Sequence, residues 1–202
     1  MSHFTQIDNL PILDLHKELN QLLDNKKIHW NKTNSICLNT LSDQLDDYEL
    51  GTGSLTYDWD NSYRITKEDG TVERIVPELP NPKKETDFNM LCNQFKGTMF
   101  EEVYTALQKK YKEFLGRVRL MKMKPKTCLS WHNDDNTRVH YPIVTAEGCM
   151  MIIGDEVKYL PANTWWHTDT LPLHTAINAS QIDRVHLVCS LELNEHQQTP
   201  KN

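Results

Sequence analysis

No two of the five cysteines have C-x-x-C spacing, and their number is odd, which excludes both a disulfide framework and a zinc knuckle as the organising principle. No apolar run approaches the ~20 residues that a membrane span needs. The first ten residues carry neither a basic segment nor an apolar one, so no signal peptide is expected. Positive charge is not in excess. The net charge of −6 argues against a nucleic-acid footprint and against a membrane surface. The one basic concentration, residues 109–126, reads as a solvated helix face and strand edge. No repeat of 20–50 residues is present. These absences leave a protein expected in the reducing cytoplasm, as a monomer or homodimer, with Cys149 and Cys189 as small buried hydrophobes.

What is present is ordinary globular composition. The chain has 202 residues, 38% of them hydrophobic and 25% charged, enough to bury a core without metal or disulfide support. One domain is expected, with a helical and β support region over 1–116, a β core over 117–193 and a tail over 194–202. Ile12, Leu15, Leu19, Leu22 and Leu23 recur at helical spacing after Pro11 and predict a helix over 11–24. Residues 55–59 read as a short strand. Residues 62–67 and 71–76 flank an Asp-Gly pair, which predicts a hairpin. Residues 77–85, rich in proline, read as a surface connection. Thr98-x-x-Glu101 predicts a capping box, and a second helix follows along Phe100, Val103, Tyr104, Leu107, Tyr111, Phe114 and Leu115, with Gly116 as its C′ residue. From there short strands are expected at 117–124, 138–145, 149–153, 156–160 and 184–193. Helices followed by a run of antiparallel strands is an α+β, mainly β pattern, a helix-supported sandwich.

The chemistry lies in the second half. His132-Asn133-Asp134 is followed forty residues beyond Asp134 by His174, and ten residues after that by Arg184. Two histidines and one carboxylate are the protein ligands of the facial triad that holds non-haem Fe(II) and leaves positions open for other ligands. In His-x-Asp the two ligands share one side of an extended chain, so a third must come from another strand. An arginine just beyond that third ligand can clamp the far carboxylate of a 2-oxo acid. His167 competes with His174, but its 17-residue offset to Arg184 is too long for one strand and its approach. His3, His16, His29 and His196 lie in terminal or polar contexts and carry no argument. On a strand, Arg184, His186 and Val188 share one face, and an inward arginine calls for an anion; the alternation alone also allows Val185 and Leu187 to face the core instead. Arg138-Val139-His140 repeats the same pattern. Asp134, Asp135 and Asn136 also have the composition of a plain turn. Trp131, Asp135, Asn136 and Trp166 are the candidates for the substrate's surroundings.

Met121-Lys122-Met123-Lys124-Pro125 leading into His132, then Arg138-Val139-His140, His174 with Asn178, and Arg184 together resemble the aspartyl/asparaginyl β-hydroxylase-like family of Fe(II)/2-oxoglutarate oxygenases, which includes bacterial proline cis-hydroxylases. The resemblance covers about residues 117–193. It implies a double-stranded β-helix, a cupin-like jelly roll, backed by the helices. It implies Fe(II) on His132, Asp134 and His174, and 2-oxoglutarate contacted by Arg184, by Arg138 and His140, and by Met123. It further implies O2 as co-substrate and hydroxylation of an aliphatic C–H in an amino acid or a peptidyl side chain, with release of succinate and CO2. The chain departs from the pattern where Met121 replaces a serine of the animal enzymes, and where Leu171-Pro172-Leu173 replaces acidic residues often found before the distal histidine. The other readings of the same residues are a zinc-binding or non-catalytic cupin-like binding module, and a metal-dependent cupin isomerase or hydrolase, which would not need Arg184 to face the metal.

Overall fold

A computed structural model describes residues 2–193; the tail expected at 194–202, with His196, lies outside the described residues. In chain order the elements are β1 (Phe4–Ile7), α1 (Leu15–Asp24), β2 (Ser35–Cys37), β3 (Asn39–Thr40), β4 (Tyr63–Thr66), β5 (Val72–Ile75), β6 (Met90–Leu91), α2 (Met99–Tyr111), β7 (Leu115–Met123), β8 (Thr127–Cys128), β9 (Thr137–Val144), β10 (Cys149–Ile153), β11 (Glu156–Tyr159), β12 (Trp165–Thr168), β13 (His174–Asn178) and β14 (Arg184–Leu191).

From β7 onward the chain passes back and forth between two sheets. The larger has the order β1-β12-β9-β14-β7-β2 and the smaller β11-β10-β13-β8, and every pairing is antiparallel. The eight strands β7–β14 therefore form the two four-stranded halves of a jelly roll, and β1 and β2 widen the larger half at its two edges. This is the mainly β, cupin-like architecture with supporting helices that the resemblance implied.

Strict alternation separates two interiors. Val185, Leu187 and Cys189 of β14, Val139, Tyr141 and Ile143 of β9, and Val118 and Leu120 of β7 pack under the buried stripes of α1 and α2. The opposite faces of the same strands look between the sheets. There a much smaller apolar cluster of Phe4, Met123, Met151, Ile153, Leu160, Trp166 and Ala176 leaves room for polar side chains. A one-residue slip of any of these strands would put arginines under the helices, so the alternation fixes the register.

Several expected boundaries shift for local reasons. α1 begins at Leu15, four residues later than predicted, because residues 11–13 are tied to the sheet instead. Trp165 Nε1 donates to the Pro11 carbonyl at 2.9 Å, and Tyr141 Oη donates to that of Leu13 at 2.8 Å; Ile12 is left exposed. At α2, Thr98 Oγ1 accepts from Phe100 N at 3.2 Å, but the Glu101 carboxylate reaches one residue further back, to Gly97 N at 2.6 Å, so the capping box is displaced. α2 ends at Tyr111, where Lys112 turns to φ +50°. Gly116 is not a C′ residue. It lies in β7 with the buried Glu85 against it, and a Cβ there would sit 2.6 Å from Glu85 Cβ. The hairpin β4–β5 forms as predicted, with Thr66 opposite Val72 and Gly70 at φ +85°. Residues 55–59 form no named strand; one bridge, Tyr57 with Glu78, and a hydrogen bond from Lys83 N to the Leu55 carbonyl at 3.1 Å tie them to residues 77–83, where the prolines end the ladder. Strands β1, β12 and β13 had no sequence expectation.

Candidate metal and 2-oxo-acid site

His132 follows β8 and His174 opens β13. The two residues exchange backbone hydrogen bonds, 3.1 Å from His132 N to the His174 carbonyl and 2.9 Å in return. This rung sets the imidazoles side by side, with centroids 4.2 Å apart. Asp134 N donates to the Thr170 carbonyl at 3.1 Å, and Thr170 Oγ1 donates to that of Asn136 at 2.8 Å. The turn composition of 134–136 is therefore real, and it serves to lay Asp134 beside the connection between β12 and β13.

Ligand atoms of His132, Asp134 and His174 all lie within 4.8 Å of one another, the one group of this kind among the described residues. His132 Nδ1 is 2.8 Å from the Ser130 carbonyl and His174 Nδ1 is 3.0 Å from that of Pro172. A carbonyl only accepts, so each Nδ1 carries the proton and each Nε2 presents a lone pair. Orientation of ligating histidines through the other ring nitrogen is a common feature of metal sites. The unusual Leu171-Pro172-Leu173 segment thus supplies backbone acceptors at a place where acidic side chains are often found. Asp134 Oδ2 is 3.5 Å from His174 Nε2, and Oδ1 is 3.0 Å from an Arg138 Nη. Burial alone would raise the Asp134 pKa, but the charge of the adjacent Arg138 outweighs it and holds the carboxyl well below the usual carboxylate range. The donor set is two imidazoles and one ionised carboxylate, which suits Fe(II).

Behind the triad is a cavity of ≈ 770 Å³, within the size range of small-molecule sites. Arg184 faces into it from β14, with its Nε–H donating to His186 Nε2 at 3.0 Å. Its inward orientation decides between the two faces that the alternation allowed. No carboxylate lies within 4.0 Å of it among the described residues. Burial lowers its pKa to about 10, still a cation at neutral pH. Burial and the nearby arginines keep His140 and His186 neutral. His140 Nε2 is buried without a hydrogen-bond partner. A buried guanidinium without a counter-anion and an orphaned imidazole nitrogen are an unmet demand for an oxyanion. A 2-oxo dicarboxylic acid meets that demand, so the residues fit the cosubstrate as well as the metal.

Of the other candidates, Met123, Asp135, Asn136 and Arg138 line the cavity. Asn136 Oδ1 accepts from Arg138 and so braces it against Asp134. Trp131 is 53% exposed and does not line the cavity. Trp166 belongs to the apolar cluster between the sheets, with its Nε1 donating to Thr164 Oγ1 at 2.8 Å, so its role is packing. His167 pairs with Thr5 and Val139 inside β12 and is apart from the triad. Of the two competing histidines, His174 is the one that lies with His132 and Asp134.

Sequence reading missed Glu85, Arg117 and Arg119. Residues 77–85 looked like a surface connection, yet Glu85 is buried and holds Arg117 by two prongs, Nε to Oε2 at 2.8 Å and Nη2 to Oε1 at 2.7 Å. Arg117 Nη1 also donates to the carbonyls of Gly51 and Gly53. The expectation of a solvated basic stretch fails at these two arginines, because Arg117 and Arg119 sit on the inward face of β7. The signal was available: Arg117-x-Arg119 has the same two-residue period as Arg138-x-His140 and Arg184-x-His186.

The chain is a jelly roll with a His-x-Asp…His cluster that could hold a metal and an inward arginine on its last strand. A family model described as aspartyl/asparaginyl β-hydroxylase matches residues 14–193, and the chain belongs to that family. Among solved structures the chain is similar to an oxidoreductase of the 2OG-Fe(II) oxygenase family from Burkholderia pseudomallei, with 12% identity, 94% of this chain and 84% of that chain covered, and TM-score 0.49. It is also similar to AviO1 from Streptomyces viridochromogenes Tue57, with 12% identity, 98% and 92% covered, and TM-score 0.46. A cupin domain from Bordetella pertussis Tohama I shares 16% identity over 38% of this chain and 81% of that chain, with TM-score 0.34. No curated protein matches. No helix among the described residues is long and apolar enough to cross a membrane.

Proposed function

We propose that this protein is an Fe(II)- and 2-oxoglutarate-dependent oxygenase that hydroxylates an aliphatic C–H of an amino acid or of a peptidyl side chain, in a reducing, cytoplasmic compartment. The observation that carries this reading is the convergence of His132, Asp134 and His174, with both Nδ1 atoms committed to backbone carbonyls. His132, Asp134 and His174 would hold the metal, and Arg184 the far carboxylate of the cosubstrate. His140, with its unpartnered Nε2, would meet the near one. When bound, the metal and cosubstrate supply the oxidising chemistry, with succinate and CO2 as by-products. The protein's own residues orient and exclude water. Asn136 and Asp134 hold Arg138 in place, and the Thr170 contacts keep the ligand loop closed against the connection between β12 and β13.

The test is an anaerobic titration of apoprotein with Fe(II) and then 2-oxoglutarate, followed by visible absorption. A weak charge-transfer band that requires both, and that needs much more 2-oxoglutarate in Arg184→Ala, is expected. Well-folded, metal-loaded protein that shows no band would turn the assignment to a zinc-binding or non-catalytic jelly roll.

A further inference from the structure

One buried side chain beside the proposed site has no part in the chemistry described above. His186 lies two residues along β14 from Arg184, on the same face, and is 1% exposed. Arg184 Nε–H donates to its Nε2 at 3.0 Å. Its Nδ1 stands 3.4 Å from His140 Nδ1, at the long end of the hydrogen-bond range. His140 lines the cavity, and its Nε2 is buried without a partner. The three side chains thus form a row. Its two ends, Arg184 and His140, are the groups assigned to the two carboxylates of the cosubstrate.

The direction of hydrogen bonding along the row follows from what each atom can do. A neutral imidazole has one N–H and one lone pair, and a guanidinium only donates. Burial and the charge of Arg184 hold both rings neutral. Where His186 Nε2 accepts from Arg184, its Nδ1 carries the proton and donates to His140 Nδ1. His140 Nε2 is then an N–H at the cavity end of the row, the form that a carboxylate needs. One contact opposes this order. Arg184 Nη2 is 2.9 Å from His186 Nδ1. Were Nδ1 the acceptor, every proton in the row would shift and His140 Nε2 would be a bare lone pair. A carboxylate seated on the two Nη atoms of Arg184 draws Nη2 away and leaves Nε–H to His186, so it removes the competing contact. Across Val188 from His140 stands Arg119, whose Nε is also buried without a partner. An anion at that place meets donors from both sides only when His140 Nε2 is an N–H.

We propose that His186 is a positioning residue, a tautomeric relay that couples the two ends of the 2-oxo-acid site, so that a dicarboxylate held by Arg184 fixes His140 as the N–H donor for its other end. The coupling to 2-oxoglutarate rests on the proposed function, whereas the order of donors along Arg184, His186 and His140 does not. Glutamine at 186 can take the same part, its carbonyl accepting from Arg184 and its amide N–H donating to His140. Leucine can do neither.

The test uses full-length protein loaded with diamagnetic Zn(II), isotope-labelled histidine, nitrogen NMR of the imidazoles and calorimetric titration with 2-oxoglutarate. With 2-oxoglutarate bound, His140 is expected to be protonated on Nε2 and His186 on Nδ1. His186→Leu should keep its Zn(II) affinity but bind 2-oxoglutarate at least about tenfold more weakly, the usual scale for a lost hydrogen bond to a charged group. His186→Gln should bind it within about threefold of wild type and keep the His140 proton on Nε2. A His140 protonated on Nδ1 in the complex overturns the proposal, as does full 2-oxoglutarate affinity in His186→Leu. Should His186→Leu fail to fold, His186→Gln decides, and loss of the Nε2 proton of His140 in that variant overturns the relay. Well-folded, Zn(II)-loaded wild type that binds no 2-oxoglutarate sinks the oxygenase reading. The ligand-free rings then decide the relay: a His140 protonated on Nε2 in wild type and not in His186→Leu sustains it, and one protonated on Nδ1 overturns it.

Discussion

Side chains of one type carry different charges of meaning here according to the face they occupy. Arg117 and Arg119 are two residues apart on one strand; the first is fully paired and the second is not. The paired one is structural, and its partner is the more informative to change. Glu85→Ala would leave Arg117 buried beside Arg119 and Arg138 with Asp134, already held by Arg138, as the remaining carboxylate, a loss of ~3–5 kcal/mol by the usual cost of breaking a buried pair. A fall of less than ~1 kcal/mol in urea unfolding would show that the pair is not what anchors this loop. The same carboxyl gives a pH prediction. Burial would raise Glu85, but its hydrogen bonds and ion pair with Arg117, with Arg119 and Arg138 nearby, bring it down to about 2 from an ordinary 4.5. A depressed carboxyl contributes stability that is complete above its unfolded value and lost as pH falls through its folded one. Glu85 stability should thus disappear between pH 4.5 and about 2, and Glu85→Gln should flatten that part of the stability profile. Gly116→Ala should cost ~1–3 kcal/mol, because its Cβ would overlap that of Glu85.

Elements differ in how far their neighbours fix them. The hairpin β4–β5 is exposed along nearly its whole length and its only sheet partner is itself. Replacing residues 62–76 by a short flexible link should move the Tm by less than a few degrees, since almost no apolar area is lost from the core. Thr98→Ala, by contrast, removes the cap of a helix whose Phe100, Val103 and Leu107 are fully buried, and should cost about 1 kcal/mol. The same contrast explains what the sequence could disclose about the fold. The start of α2, the hairpin and β10 are set by local signals, a cap, a turn and a tight alternation, and they are where the pattern put them. The start of α1 depends on Trp165 and Tyr141, more than a hundred residues away, and no window of sequence contains that information. β12 and β13 are short, carry tryptophans or a ligand histidine, and look like site before they look like strand. Gly116 was misplaced for a related reason: glycine marks a helix end locally, but here the tight approach of Glu85 demands it.

At the scale of the whole molecule, the two sheets are a device for bringing remote segments to one point. His132, beyond the end of β8, and His174, at the start of β13, are joined by a single isolated rung, and Arg184 enters from the other sheet. The triad and the arginine were legible because ligand chemistry restricts residue type and strand geometry restricts spacing. Glu85, Arg119 and the displaced roles of Trp131 and Trp166 were not, since burial of a charge or exposure of a tryptophan is settled only when the layers close. That closure also ties site occupancy to global stability. The ligands of the site lie on both sheets and the loop between them, so a bound metal and 2-oxoglutarate favour the folded state over the unfolded one. At concentrations about a hundredfold above Kd each ligand stabilises by ~2.7 kcal/mol. For a domain of this size ~1 kcal/mol corresponds to ~2–4 °C, so each should raise the Tm by roughly 5–11 °C. The increments should also be ordered. His174→Ala is expected to lose the metal increment and with it most of that of 2-oxoglutarate, whereas Arg184→Ala should keep the first and lose most of the second. Scanning calorimetry of the three proteins with Mn(II), with and without 2-oxoglutarate, measures this directly. A full 2-oxoglutarate increment in His174→Ala would mean that the anion binds without the metal, and that His174 is not its partner in the site.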